Sequence, residues 1–201
     1  HGYGPGMMWG WGAAGPGVEV RGHGAGIGVA LVGGDASTFA GAAEALAEDV
    51  TAFDQRGCLS PRVAFVVGDA DAFARALFAA LESRGPLVPR GALDPGERES
   101  LARWSATIAY AGALHRGASC AVGVLDAPAL PPTGRHVLVR PLPGPADFRT
   151  ALGELARFVT AVGTDLPFDL VRPHAPPHVR LSPLGAMQRP PLDGPVDLRP
   201  P

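Results

Sequence analysis

The chain has no lysine; all 17 of its basic residues are arginine, so a Schiff base on a lysine amine is excluded. Cysteine is nearly absent. Cys58 and Cys120 are the two in 201 residues, far apart, which makes neither a disulfide framework nor a zinc pattern and points to a reducing compartment, the cytoplasm. The arginines form no basic run, so no nucleic-acid partner is expected. No stretch of about 18 apolar residues occurs and no charged start leads into an apolar segment, so neither a membrane span nor a signal peptide is expected. The chain also lacks an initiating Met: it begins at His1, as a processed chain or a fragment of a longer protein would.

What is present suffices for one domain with a real core, since 46% of residues are apolar and the formal net charge is only −2. Residues 1–17 are rich in Gly, with Met7, Met8, Trp9 and Trp11 interleaved and no period, and read as irregular. The Gly10 to Gly15 match to G-x-G-x-x-G lacks the strand before it and the helix after it that a dinucleotide fingerprint needs. Residues 18–189 form the folded domain, and 190–201, with five prolines, a tail that is extended and partly disordered.

Within the domain, apolar spacing predicts strands over 18–21, 27–32, 62–67, 120–125 and 136–140. It predicts helices over 37–53, with Phe53 on the apolar side, over 71–84, and from Pro95 through Leu101, Trp104 and Ile108 as far as Leu114. A further helix is predicted over 147–162, ending at Gly163, before a last apolar segment at 168–172. Alternating strands and helices imply an α/β fold, a mostly parallel sheet covered on both faces. His174 and His178 have a metal-ligand spacing but no third ligand nearby, so no metal is expected.

One stretch joins the first helix to the third strand: Phe53-Asp54-Gln55-Arg56-Gly57-Cys58-Leu59-Ser60-Pro61. A cysteine in such a connection is either a buried, inert thiol or a nucleophile whose thiolate a cation such as Arg56 would favour. Cys120, at the head of an apolar strand, reads as core. The segment 54–61 resembles the nucleophile segment of bacterial acyl-CoA reductases, the long-chain fatty acid reductase of bioluminescence systems and its relatives in the aldehyde dehydrogenase superfamily. A second segment, Arg180-Leu181-Ser182-Pro183-Leu184-Gly185-Ala186-Met187-Gln188-Arg189-Pro190-Pro191-Leu192-Asp193, resembles the C-terminal signature of that family.

The resemblance implies an aldehyde-dehydrogenase-like catalytic domain with the cofactor-binding half largely missing. It also implies reduction of a fatty acyl-CoA or other acyl thioester to an aldehyde through acyl-Cys58, with NADPH as hydride donor. His23 lies near the spacing where the superfamily carries a glutamate base, and could serve as that base or be a surface histidine of a glycine-rich turn. Glu154 lies near the distance where the superfamily holds the nicotinamide ribose, and could equally be a solvated helix residue. A homo-oligomer or an acyl-donor protein partner fits the resemblance. A reading of another class is a non-catalytic remnant that binds a partner through its Trp/Met-rich start and Pro-rich end.

Overall fold

The computed structural model describes residues 24–35, 37–193 and 197–199. The irregular start, the strand predicted over 18–21 and His23 lie outside them. Four apolar runs form the centre of a seven-stranded sheet: β1 (Ile27–Val32), β2 (Pro61–Val67), β5 (His136–Leu142) and β6 (Val159–Thr164). All residues of β1 and β6 are buried, as two-sided coverage requires. With β3 (Ala113–Arg116), β4 (Ala121–Val124) and β7 (Arg180–Pro183) the order is β3-β4-β5-β2-β1-β6-β7, parallel except for the β3–β4 pair.

Alternate residues of each strand feed two cores. Ala30, Val32, Ala64, Val66, Val137 and Val139 face α1 (Phe39–Thr51) and α2 (Ala70–Arg84), where the Phe39 and Phe73 rings meet edge-on at 5.4 Å. Val29, Leu31, Val63, Phe65 and Leu138 join Leu101, Trp104 and Ile108 of α3 (Pro95–Ala111) and Phe148 and Leu152 of α4 (Phe148–Leu152). The α3 start is a full capping box, with Asp94 accepting from the Glu97 N–H at 2.8 Å and Glu97 accepting from the Asp94 N–H at 2.9 Å.

Three expectations are corrected. The helix predicted over 147–162 is a 3-10 turn (Pro145–Asp147), α4, a second 3-10 stretch (Gly153–Phe158) and then β6. Gly153, at φ +49°, breaks the helix, and Val159 and Val162, which fit a helical spacing, belong to a strand apolar on both faces. The apolar segment 168–172 begins with the short helix α5 (Phe168–Val171), which Pro167 precedes as its N-cap. Leu114 lies in β3 because α3 stops at Gly112, and Phe53 leaves the face of α1 to stand 72% exposed.

Candidate functional site

After α1 the chain turns through three consecutive non-glycine residues in the left-handed region, Phe53 (φ 53°), Asp54 (φ 50°) and Gln55 (φ 61°). Such backbone costs about 1–2 kcal/mol per residue and persists only where the surroundings hold it. Here they do. The Gln55 amide donates to Pro61 O at 2.7 Å and His136 O at 2.9 Å, and its Oε1 accepts from the His136 N–H at 2.7 Å, tying the first residues of β2 and β5 together. Asp54 pairs with Nε of the buried Arg135 at 2.7 Å and accepts from the Gly91 N–H at 2.9 Å.

The turn delivers Gly57 to Ser60, closed by the Ser60 N–H on Gly57 O at 3.1 Å, with Cys58 exposed at its tip. Thr160 of β6 donates its hydroxyl to Cys58 O at 2.5 Å, and the Gly28 N–H of β1 donates to Ser60 O at 3.0 Å. Gly26 lets the sulfur-bearing residue approach: a Cβ there would stand 2.7 Å from Thr160 Cγ2 and 3.1 Å from Cys58 Cβ. The cysteine therefore sits where three parallel strands begin. Ligands of open α/β sheets favour the opposite edge, at the strand ends.

The C-terminal signature closes the site from behind. Asp49, buried on α1, accepts from the Gly185 N–H at 2.7 Å, the Met187 N–H at 2.9 Å and the Gln188 N–H. That clamp seats Met187 on Leu59 and Ala161 beneath the cysteine turn, and brings Gln188 to Gly57, where a Cβ would lie 3.4 Å from Gln188 Oε1. Gln188 Nε2 and Ser60 Oγ are buried without partners. The two segments on which the resemblance rests thus meet in space.

The electrostatics differ from expectation. Arg56 does not serve the thiol; it pairs with Glu97 at 3.0 Å and lies 3.6 Å from Asp54. Partial burial pushes the Cys58 thiol up, and Asp197 adds to this, while the residue's own N–H and Arg199 oppose it. Arg199 belongs to the proline-rich tail, yet it is buried, donates to Ala25 O at 2.7 Å and is paired with Asp197 at 2.6 Å, so its charge is largely spent. Cys58 is accordingly held as a thiol. His23, the candidate base, lies outside the described residues.

Glu154 stands 92% exposed in the 3-10 stretch before β6, 3.8 Å from Arg157. Cys120 is buried with Sγ 3.2 Å from Glu82 Oε1, and burial first, then Glu82, drives its pKa up to about 12. Among the described residues no three of His, Cys, Asp and Glu stand together as a metal site would need, and no helix is long and apolar enough to cross a membrane. Asp49, Thr160, Gln188 and Arg199 were not singled out from sequence. The only signal for Asp49 was an acid at a position of α1 whose neighbours face the core.

A parallel sheet covered on both faces, with an exposed cysteine in the turn entering a central strand, defines an aldehyde-dehydrogenase-type α/β domain. The fold is similar to that of an NAD-dependent aldehyde dehydrogenase from Burkholderia multivorans, at 15% identity and a TM-score of 0.56 over 82% of this chain and 36% of that one. It is similar also to the indole-3-acetaldehyde dehydrogenase AldA of P. syringae, solved with NAD+ and IAA, at 15% identity and a TM-score of 0.61 over 86% and 39%. The putative aldehyde dehydrogenase PutA of Anabaena variabilis matches at 12% identity and 0.58 over 84% and 42%. The chain thus spans well under half the length of these structures. No curated protein matches its sequence. The acyl-CoA reductase (LuxC) family model matches residues 9–162, most of the chain and the whole cysteine turn, and the chain belongs to that family. The signature at 180–193 lies outside that match; in the structure it packs onto the cysteine turn.

Proposed function

We propose that this chain is the cysteine-bearing part of a fatty acyl thioester reductase. The observation that carries this reading is the exposed Cys58 at a turn clasped by Thr160 on one side and by the Asp49-held signature on the other. The Cys58 thiol gives its proton to a base, for which His23 is the candidate, and the sulfur attacks the acyl carbonyl of a fatty acyl-CoA. The tetrahedral oxyanion is met by the Cys58 N–H. The carbon–sulfur bond to coenzyme A then breaks, coenzyme A leaves as the thiol with the proton, and the acyl group remains as a thioester on Cys58.

NADPH, implied by the family resemblance, would supply the hydride that reduces this thioester to an aldehyde. The described residues do not fit a dinucleotide: at this edge the chain enters its strands, and the strand-to-helix turns after β1 and β2 lie at the other edge. Glu154 remains the candidate for the ribose from the resemblance alone. With both cysteines free and Cys58 required as a thiol, the protein works in a reducing compartment, the cytoplasm.

Incubation with a fatty acyl-CoA should add one acyl mass by intact-protein mass spectrometry. Cys58→Ala should abolish the adduct and Cys120→Ala leave it, while His23→Ala slows its formation by about 10²- to 10⁴-fold. An acyl group mapped to Cys120 overturns the assignment, and an unreactive Cys58 in folded protein leaves the partner-binding reading.

A further inference from the structure

A second opening lies along the same sheet edge, where β4 and β5 begin: a cavity of about 380 Å³ lined by Arg90, Arg98, Arg116, Leu101, Cys120 and His136, among others, with no Asp or Glu in its lining. The acid beside it, Glu82, is engaged with Cys120. Its cations are only partly used. Arg90 Nη1 donates to Ser119 O at 3.0 Å, which fixes the guanidinium, but its Nε is buried without a partner. Arg98 is held by Leu93 O. Arg116, on edge strand β3, makes no side-chain hydrogen bond or ion pair among the described residues.

His136 supplies a different clue. It is 1% exposed, with Nδ1 3.0 Å from Thr133 O and a buried Nε2 that has no partner. Burial holds the ring neutral, with Arg90 and Arg116 adding to the effect, so Nδ1 carries the proton for Thr133 and Nε2 presents a lone pair. A buried acceptor without a donor is costly and asks for one. The cavity therefore wants a ligand that is anionic toward guanidinium and also donates a hydrogen bond. A carboxylate at neutral pH has no proton to give. A phosphomonoester keeps one at small cost, since its second ionisation lies near pH 6, about one unit below neutral, and its oxygens match the guanidinium fork.

We propose that this cavity is a phosphomonoester-binding site, in which one P–O–H donates to His136 Nε2 while Arg90 Nε and Arg116 donate to the remaining oxygens. Its volume, within the range of about 300–1,000 Å³ usual for small-molecule sites, admits part of the molecule that carries the phosphate. Gln55 links the site to the cysteine turn by bonding the first residues of both β2 and β5. Fatty acyl-CoA and NADPH each bear a phosphomonoester on a ribose. That either one is the source rests on the acyl-transfer reading; the site itself does not.

The test is calorimetric titration with inorganic phosphate, adenosine 2′,5′-bisphosphate and adenosine 3′,5′-bisphosphate at fixed ionic strength, with the His136 ¹⁵N signals followed by NMR. One saturable site that shifts Nε2 is expected. Arg116→Ala should weaken binding about tenfold, the loss of one charge-assisted contact, with the unfolding temperature unchanged. The tighter bisphosphate names the source, the 3′ form for coenzyme A and the 2′ form for NADPH. No binding of any of the three at about 10 mM, weaker than a 1 mM site would show, overturns the site. So does malonate binding as tightly as phosphate, or binding untouched by Arg116→Ala. Cys58→Ala should bind phosphate as the parent does, so failed acylation with intact phosphate binding overturns the acyl-transfer reading alone.

Discussion

Two buried titrating side chains do most to set how this domain responds to pH, and they act in opposite directions. Asp49 is raised from 3.8 to about 6, first by burial and then by Glu48, against the three N–H groups it accepts from. Its contribution to stability is fully present below about pH 3.8 and is lost as the pH rises through 6. His136 is lowered from 6.5 to about 4 by burial, with Arg90 and Arg116 adding to it and the Pro132 and Thr133 carbonyls opposing. Its contribution is present above pH 6.5 and is lost as the pH falls toward 4. Each effect is of order 3 kcal/mol, so between pH 4 and 6 they largely cancel. Asp49→Asn should therefore unmask a stability that rises with pH across this window, and His136→Gln one that falls. Urea midpoints measured at pH 4, 5 and 6 decide it, and variant profiles parallel to that of the parent would refute the pairing. Neither residue was legible as important from sequence, because a mid-helix acid and a strand-opening histidine have no pattern until the fold buries them.

At the level of elements, the segment 54–61 was recognisable as a unit, but its residues do other work than their types suggested. Arg56 looked like the thiol's cation and instead pairs with Glu97. Asp54 and Gln55, unremarkable in sequence, hold a left-handed turn that no periodicity announces. The regular elements were legible where one signal dominated: β1 is 27–32 as predicted, and the Asp94-Pro95-Gly96-Glu97 cap opens α3. Legibility failed at β6, where a two-faced apolar strand satisfies a helical spacing as well as its own. The turn makes a sharp contrast between neighbours. Gln55→Ala strands the Pro61 and His136 backbone groups inside the protein and should cost about 3 kcal/mol of unfolding free energy. Arg56→Ala breaks a half-exposed pair and should cost under about 1 kcal/mol. Denaturant titration of the two variants checks this, and similar losses would mean that the turn is held by something other than Gln55.

For the molecule as a whole, the topology gathers the candidate sites on one edge of the sheet. Cys58, Thr160, Gln188 and the arginine-lined cavity all lie where parallel strands begin, while the strand-to-helix turns, the usual phosphate cradles, lie at the other edge. The outer strands are poor templates for further pairing, since β3 ends in His115 and Arg116 and β7 carries Arg180 and Pro183. Among the described residues, a dinucleotide meeting this edge finds the one phosphate contact proposed for the cavity beside His136, and no strand-to-helix turn of the central strands β1 and β2 to cradle its pyrophosphate. The 201-residue chain should therefore bind NADPH no more tightly than it binds adenosine 2′,5′-bisphosphate, and NADH more weakly than either. Both dinucleotides should show dissociation constants above about 10 μM. Calorimetric titration of the three ligands under one buffer condition tests the claim. NADPH binding at or below that value, or binding much tighter than that of the bisphosphate, would mean that the chain builds a nicotinamide cradle and that hydride delivery belongs to its own residues.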